Sequence, residues 1–328
     1  MKKIVYTVCS ANHLAHSKTM ADSFILHHPE YTLYIVLVDS VDGRFDLNSF
    51  KSYNILEINK LGIPDFAEFT HRYTIIELNC AVKSFAAQYL FREFSPDILL
   101  YIDSDTLIFN SLSIVESYLI ESNIVLTPHY TSPLPLDGLL PRERDILRSG
   151  LYNAGFLGFR NSDETHRFLT WWSGHMQTEC HYNFEEGMGV DQNWLNWVPL
   201  FFKGVTLAND QGLNVAYWNL HERKLTERDG RYWINDEYPL LFLHISGYDF
   251  TIPEQLSRHQ NRHALSSFPL LQLLLNSYME KVKSNGWNFY RTLPCAYAKP
   301  AQKSRGIMKT INALLNPFKI KIDKIKLL

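Results

Sequence analysis

Cysteine is scarce in this chain: four in 328 residues, at Cys9, Cys80, Cys180 and Cys295, with no CxxC spacing. That excludes a cysteine-ligated zinc site and a disulfide framework, and it fits a reducing cytoplasm. Net charge is also nearly absent. Lys and Arg number 32 against 34 Asp and Glu, a formal charge of −2, which argues against a nucleic-acid partner. No run approaches the roughly 20 apolar residues of a membrane-spanning helix. The start, MKKIVYTVCSANHLAHS, has the charge of a secretion signal, but its apolar run is short and interrupted by polar residues. It reads as a first strand instead. A glycine-rich phosphate loop after that strand is missing, and neither internal repeats nor low-complexity linkers occur before about residue 298.

What the chain does have is apolar residues, at 46% of the sequence, enough for a sizeable core. The first hundred residues alternate strand and helix signals. KIVYTVCS, YTLYIVLVD and YNILEIN read as strands, and HSKTMADSFILHH carries helical spacing. TIIELNCAVKSFAAQYLFREF is a long helix stopped by Ser95-Pro96, and it leads into another strand. This order predicts an α/β domain with a mostly parallel sheet flanked by helices, whose ligands bind beyond the carboxyl ends of the strands. NIVLTPHY and LYNAGFLGFR read as further strands, with a Pro- and Gly-rich loop between them that would cover a site. DETHRFLTWWSGHM reads as a helix, VDQNWLNWVPLFF as helical before Pro199, and YPLLFLHISGYD as a late strand. Tryptophans 171, 172, 194 and 197 recur at helical spacing and are expected in the core.

The strand LLYIDSDTLIF breaks its apolar character at Asp103 and Asp105. In an extended segment residues i and i+2 point the same way, so both carboxylates can face one cation. Hard cations such as Mn²⁺ or Mg²⁺ prefer oxygen ligands and keep positions open for phosphate oxygens. A solvated turn with no metal satisfies the same local pattern.

This stretch resembles the metal-binding D-x-D strand of nucleotide-sugar glycosyltransferases with the GT-A fold, family 8 and related bacterial enzymes above all. YNAGFLGFR, VDQNWLN and LHISGYD follow in that family's order, and the likeness spans roughly residues 1 to 260. The resemblance implies a metal site at Asp103, Asp105 and His244. It implies donor contacts through Thr7, Ser10, Asn12, Asp39, Lys83, Asp103, Ser104, Asn153, Ala154, Gly155 and Gly247, with His13 and Asn196 beside them. Asp191 and Gln192 would lie at the sugar's reacting face. Local alternatives stand beside several of these roles: Lys83 on a solvated helix face, Asp191 as a helix N-cap, Asp39 as a strand-end cap, and His244 as a structural histidine. The family's lysine after the H-x-x-G segment has no counterpart, and Arg258 or His259 would have to substitute.

The resemblance further implies a nucleoside diphosphate sugar as donor, UDP-linked by preference, and a saccharide or lipid-linked saccharide of a bacterial surface glycan as acceptor. The acceptor would enter under the 131–150 loop. Retention is expected, with Gln192 beneath the anomeric carbon. An inverting enzyme would need a general base, for which Asp191 is the first candidate. A sugar nucleotidyltransferase and a non-catalytic carbohydrate-binding protein are the other readings. The expected domains are a transferase domain over 1–270 and a helical, basic extension over 271–328. From residue 299 onward that extension carries seven Lys and one Arg against Asp323 alone. Such a tail suits peripheral contact with an anionic membrane, or equally a helix packed on the domain with its charged face in water.

Overall fold

A computed structural model of the chain describes residues 1–297. The strands of its N-terminal half are β1 (Lys3–Cys9), β2 (Thr32–Leu37), β3 (Asn54–Glu57), β4 (Ile98–Ile102), β5 (Thr106–Ile108) and β6 (Ile124–Pro128). They are followed by β7 (Tyr152–Arg160), β8 (Tyr182–Asn183), β9 (Met188–Gly189) and β10 (Val205–Leu207). Then come β11 (Leu225–Arg228), β12 (Arg231–Ile234), β13 (Tyr238–Pro239) and β14 (Phe242–His244). The helices of the first half are α1 (Leu14–His27), α2 (Phe66–Arg72), α3 (Ile75–Phe94), α4 (Ser113–Glu121) and α5 (Glu143–Ser149). Those of the second are α6 (Asp163–Met176), α7 (Val198–Phe201), α8 (Pro269–Ser284) and α9 (Trp287–Tyr290).

The central sheet runs β10-β6-β7-β4-β1-β2-β3, with β7 antiparallel to both its neighbours and the other pairings parallel. Its central strands β1, β4 and β7 are buried on both faces, β4 along its whole length, as expected when helices cover both sides. One apolar cluster lies between the sheet and α1, α4 and α8, and the other between the sheet and α3 and α6. Residues Leu271, Leu274, Leu275, Tyr278, Val282 and Tyr290, from the expected C-terminal extension, are buried in the first of these clusters. The basic tail from Lys299 onward lies outside the described residues.

Local chemistry accounts for the elements that frame the site. Thr74 and Glu77 form a capping box at the start of α3, with the Thr74 N–H donating to Glu77 Oε2 at 2.9 Å. The helix ends at Ser95, in the left-handed region at φ 44°, before Pro96. VDQNWLNWVPLFF departs from its expected form. A 3₁₀ turn, Asn193–Trp197, runs into α7, so Pro199 lies in the first turn of a helix, where its missing N–H costs nothing, instead of ending one. Among the four tryptophans Trp172 is fully buried, whereas Trp197 is half-exposed. Among the described residues, no helix is long and apolar enough to cross a membrane.

Two short strands decide where the site forms. β5 pairs antiparallel with β14, setting His244 opposite Thr106. Asp103 stays tied to β7 through its N–H to the Gly155 carbonyl at 2.8 Å, and the Ile245 N–H donates to the Asp105 carbonyl at 2.8 Å. Residues far apart in sequence thereby meet at the carboxyl end of β4.

Candidate active site

At that end of the sheet a cleft of about 800 Å³ opens. Asp103, Asp105 and His244 meet in it: His244 Nε2 lies 3.3 Å from Asp105 Oδ1 and 3.7 Å from Asp103 Oδ2. One ligand atom from each falls within 4.8 Å of the others, so the three form an Asp-Asp-His cluster able to hold a divalent ion. The donor set fits Mn²⁺ or Mg²⁺, with two carboxylates and one imidazole. His244 Nδ1 lies 3.1 Å from Asn214 Oδ1, and an amide oxygen only accepts, so Nδ1 carries the proton that it donates. That fixes the ring and aims Nε2 at the carboxylates, as an outer partner does for a metal-binding histidine. Gly155 keeps the space open: a Cβ there would lie 2.3 Å from His244 Cε1 and 2.8 Å from Asp103 Oδ2.

Electrostatics hold the cluster together. Burial alone would raise the Asp105 carboxyl, but His244 beside it keeps it well below the usual carboxylate range. His244 is lifted in turn: burial lowers it, and the Asp105 charge and hydrogen bond outweigh that effect. His28, Glu30 and Glu116 also lie close together. Lys3 Nζ neutralises that group, 2.7 Å from Glu116 and 3.6 Å from Glu30, and His28 Nε2 accepts from the Leu112 N–H. It is a structural ion network.

On the Asp103 side a buried polar network extends from the cluster. Lys83 emerges from α3 into the protein, 6% exposed, which removes the solvated-face alternative. Its Nζ lies 3.0 Å from Asp191 Oδ2 and 3.4 Å from Asp103 Oδ1, and it donates to the Ala154 carbonyl at 3.1 Å. The Tyr101 hydroxyl donates to Asp103 Oδ1. Burial would strip Lys83 of its proton, yet Asp103 and Asp191 hold it cationic well above the ordinary lysine value. Burial pushes the Asp191 carboxyl up, against the pull of Lys83. Asp191 thus faces Lys83, and its side chain does not cap the following turn.

Gln192 closes the network. Its Oε1 accepts from Asn153 Nδ2 at 3.2 Å and the Ala154 N–H at 3.1 Å, and its Nε2 donates to the Ser149 carbonyl at 2.9 Å. Asn153 Oδ1 accepts from the Gly155 N–H and from Asn214 Nδ2. One asparagine, Asn214, therefore links the His244 imidazole to the Asn153–Gln192 amides. Sequence reasoning missed it; the available signal was a polar residue between Leu213 and Val215 in an apolar stretch. Its φ of 57° is a left-handed value that Asn tolerates well. His129 was missed too. Buried and pushed down to about 4 by burial, it has Nδ1 3.1 Å from the Leu151 carbonyl and Nε2 toward Asn153.

The remaining expected residues are placed differently. Gly247 (φ 71°) lines the cleft against His259, with Arg258 adjacent. Asn196 accepts the Leu151 N–H at 2.8 Å. Thr7, Ser10, Asn12, Asp39 and Ser104 do not line the cleft. Thr7 is buried in β1, and Ser10 donates to Asn12 Oδ1. Asp39 accepts from Arg44, the Ser40 N–H and the Ala296 N–H, the strand-end role open to it from the sequence. The 131–142 loop is pinned by Arg262, which bonds Asp137 and the Leu139 carbonyl.

No family model matches the chain. Two Bacillus subtilis (strain 168) proteins, both uncharacterised, are similar in sequence. YfnF is 34% identical over 99 residues, 30% of this chain and 33% of its own length. YfnD is 23% identical over 257 residues, 76% and 79% of the two chains. The match thus spans about a third of YfnF. Among solved structures, the galactosyltransferase LgtC in complex with donor and acceptor sugar analogues superposes with a TM-score of 0.53. That match is 16% identical and covers 86% of this chain and 95% of LgtC. An active-site Gln-to-Glu mutant of LgtC gives 0.50 over the same shares, also at 16% identity. WbbM, a bifunctional glycosyltransferase, gives 0.51 at 14% identity, covering 88% of this chain and 51% of WbbM. The chain has the GT-A-like fold of these bacterial glycosyltransferases.

Proposed function

We propose that the protein transfers a hexose from a nucleoside diphosphate sugar, UDP-linked by preference, to a saccharide or lipid-linked saccharide acceptor, with retention of configuration. The setting we propose is surface-glycan assembly at the cytoplasmic side of a bacterial membrane. One observation carries this reading: the Asp-Asp-His cluster joins a buried Lys83–Asp191 pair and an Asn153–Gln192 amide pair in one cleft, at the carboxyl edge of a GT-A-like sheet. Diphosphate binding and sugar binding need these two kinds of group side by side. LgtC, solved with donor and acceptor sugar analogues and again with an active-site Gln-to-Glu change, adds support from the fold.

Asp103, Asp105 and His244 would hold a divalent ion, which when bound supplies Lewis-acid stabilisation of charge on the departing diphosphate. The chain's own groups do the rest. Lys83, fixed as a cation between Asp103 and Asp191, offers positive charge and an N–H beside the sugar subsite. Asn153 and Asp191 orient sugar hydroxyls, and orientation of this kind converts binding energy into rate. Gln192 has both ends of its amide engaged, so it is held as a fixed dipole at the reacting face.

Asp191 is 2% exposed and ion-paired, a poor arrangement for a general base that must reach an incoming hydroxyl. This favours retention over inversion. An amide is a weak nucleophile, so the acceptor hydroxyl would attack from the face the diphosphate leaves, passing its proton to the leaving phosphate oxygen. The test is incubation with a panel of UDP- and GDP-sugars, with and without Mn²⁺, followed by donor hydrolysis and binding. A Mn²⁺-dependent response to one donor is expected, and silence toward all of them would overturn the reading. Anomeric NMR of the product then decides between retention and inversion.

A further inference from the structure

Outside the cleft, a band of apolar side chains faces water. Helix α7 packs on the domain through Val198 and the following Phe202, both buried. Trp197, Leu200 and Phe201 are left outside. Leu200 is 74% exposed, and the half-exposed rings of Trp197 and Phe201 stack on one another with centroids 5.3 Å apart. Helix α5 repeats the pattern. Ile146 is buried, whereas Leu147 is 63% exposed and Leu151, just past the helix, is exposed as well. Asn196 Oδ1 accepts the Leu151 N–H at 2.8 Å, and Asn193 Nδ2 donates to the Arg148 carbonyl at 2.8 Å. These bonds join the two elements, so their exposed apolar side chains adjoin.

Contiguous apolar surface is uncommon on a monomer and marks a contact. The charges around it say with what. Arg144 and Arg148 share the outward face of α5 with Leu147, and Lys203 is exposed just after the α7 pair. None of these three cations forms an ion pair among the described residues. The carboxylates of α5 are engaged instead: Glu143 Oε1 accepts the Leu134 N–H at 3.1 Å, and Asp145 pairs with Arg142 at 2.8 Å. Two exposed acids, Glu185 and Glu186, stand at one end beside Phe184. Unpaired cations around Trp, Phe and Leu suit a lipid–water boundary, where the apolar groups enter the headgroup region and the cations meet lipid phosphates. A two-fold contact with a second copy would instead bring Arg144 and Arg148 toward their own like charges.

We propose that the α5–α7 face seats the protein on an anionic lipid bilayer, with Leu147, Trp197 and Leu200 in the headgroup region and Arg144, Arg148 and Lys203 on lipid phosphates. The band reaches the cleft. The Arg148 guanidinium lies 4.9 Å from the centre of the Phe184 ring, and Phe184, Ile146 and Ser149 line the opening. A bilayer held on this face therefore lies beside the cleft mouth, which, resting on the transferase reading, favours the lipid-linked acceptor over a free saccharide. The surface itself stands apart from that reading, because vesicle binding needs no donor.

Cosedimentation of the full chain with vesicles of equimolar phosphatidylglycerol and phosphatidylcholine tests it. Wild type should bind these vesicles and bind pure phosphatidylcholine far more weakly. Leu147→Gln/Leu200→Gln removes two side chains that are mostly in water already, and should weaken partitioning at least 10-fold at an unchanged melting temperature. Arg144→Gln/Arg148→Gln should cost about 5-fold per arginine, and high salt should erase that difference. Brominated phosphatidylcholine in the vesicles should quench tryptophan emission of wild type, and Trp197→Phe should lose most of that quenching. Residues 299–328 are the same in every variant, so these losses report the band. Wild type that stays in solution, or variants that bind within twofold of it, would overturn the proposal. So would wild-type dimers that the leucine variant breaks up without any vesicle binding, since the occupant would then be a second copy. Each of these results leaves donor binding, and with it the transferase reading, to stand or fall separately.

Discussion

Lys83→Met removes one ammonium group while keeping most of the side chain's volume, so its effect isolates the buried charge. The wild-type group lies 3.0 Å from Asp191 and 3.4 Å from Asp103, and Asp191 is 2% exposed. Removing one partner of a buried ion pair typically costs about 3–5 kcal/mol, because the other charge stays desolvated. Burial already pushes the Asp191 carboxyl up, and the variant deletes the force opposing that rise. A carboxyl raised in this way binds its proton more tightly when folded. The penalty is therefore full above the folded pKa and fades as pH falls toward the unfolded value near 4. Urea unfolding should show a wide gap between Lys83→Met and wild type at pH 8 and a narrow one at pH 5. Lys83→Met/Asp191→Asn, lacking both charges, should recover most of the loss at pH 8. A single variant within about 0.5 kcal/mol of wild type at pH 8 would refute the reasoning. So would a double variant no more stable than the single one.

Asn214→Leu should weaken Mn²⁺ binding about 10- to 100-fold by releasing His244 Nδ1, and titration calorimetry on the folded variant checks it. Gly155→Ala places a methyl 2.3 Å from His244 Cε1, so Mn²⁺ binding should vanish while thermal unfolding reports a cost of about 1–3 kcal/mol. His129 is buried neutral and pushed down to about 4, below the ordinary value near 6.5, so its contribution is intact above that value and is lost as pH falls toward 4. Denaturant unfolding between pH 7.5 and 4.5 should lose up to about 3 kcal/mol through this group, and His129→Gln should flatten that slope.

Much of the fold was legible because its strands are continuous apolar runs and its long helix announces both ends. Thr74 with Glu77 and Ser95-Pro96 are local signals, and α3 forms where they mark it. The two aspartates were legible for the same reason, as polar interruptions where an apolar strand should continue. Lys83 was harder. Its burial shows only in the company it keeps, because Ala81, Val82, Ser84, Phe85 and Ala86 leave that part of α3 no polar face. The pairing of β5 with β14 was not legible at all. Each is three residues long, they lie more than a hundred residues apart, and nothing local specifies their register. Asn214 shows locally only as a polar residue in an apolar stretch; its role was not legible, since it depends on Asn153 and His244 arriving from other strands. The donor contacts expected at Thr7 and Asp39 rested on the family resemblance, whereas the burial of both side chains and the bond from the Ala296 N–H to Asp39 depend on packing that no local signal carries.

The central claim is that Asp103, Asp105 and His244 hold a divalent ion used in donor binding, and Mn²⁺ titration followed by electron paramagnetic resonance tests it most directly. Wild type and Asp105→Ala would be compared, each with and without UDP. The account predicts one Mn²⁺ site per wild-type chain, tightened by UDP, and its loss in Asp105→Ala while that variant remains folded. Equal Mn²⁺ affinity in the two proteins would contradict it.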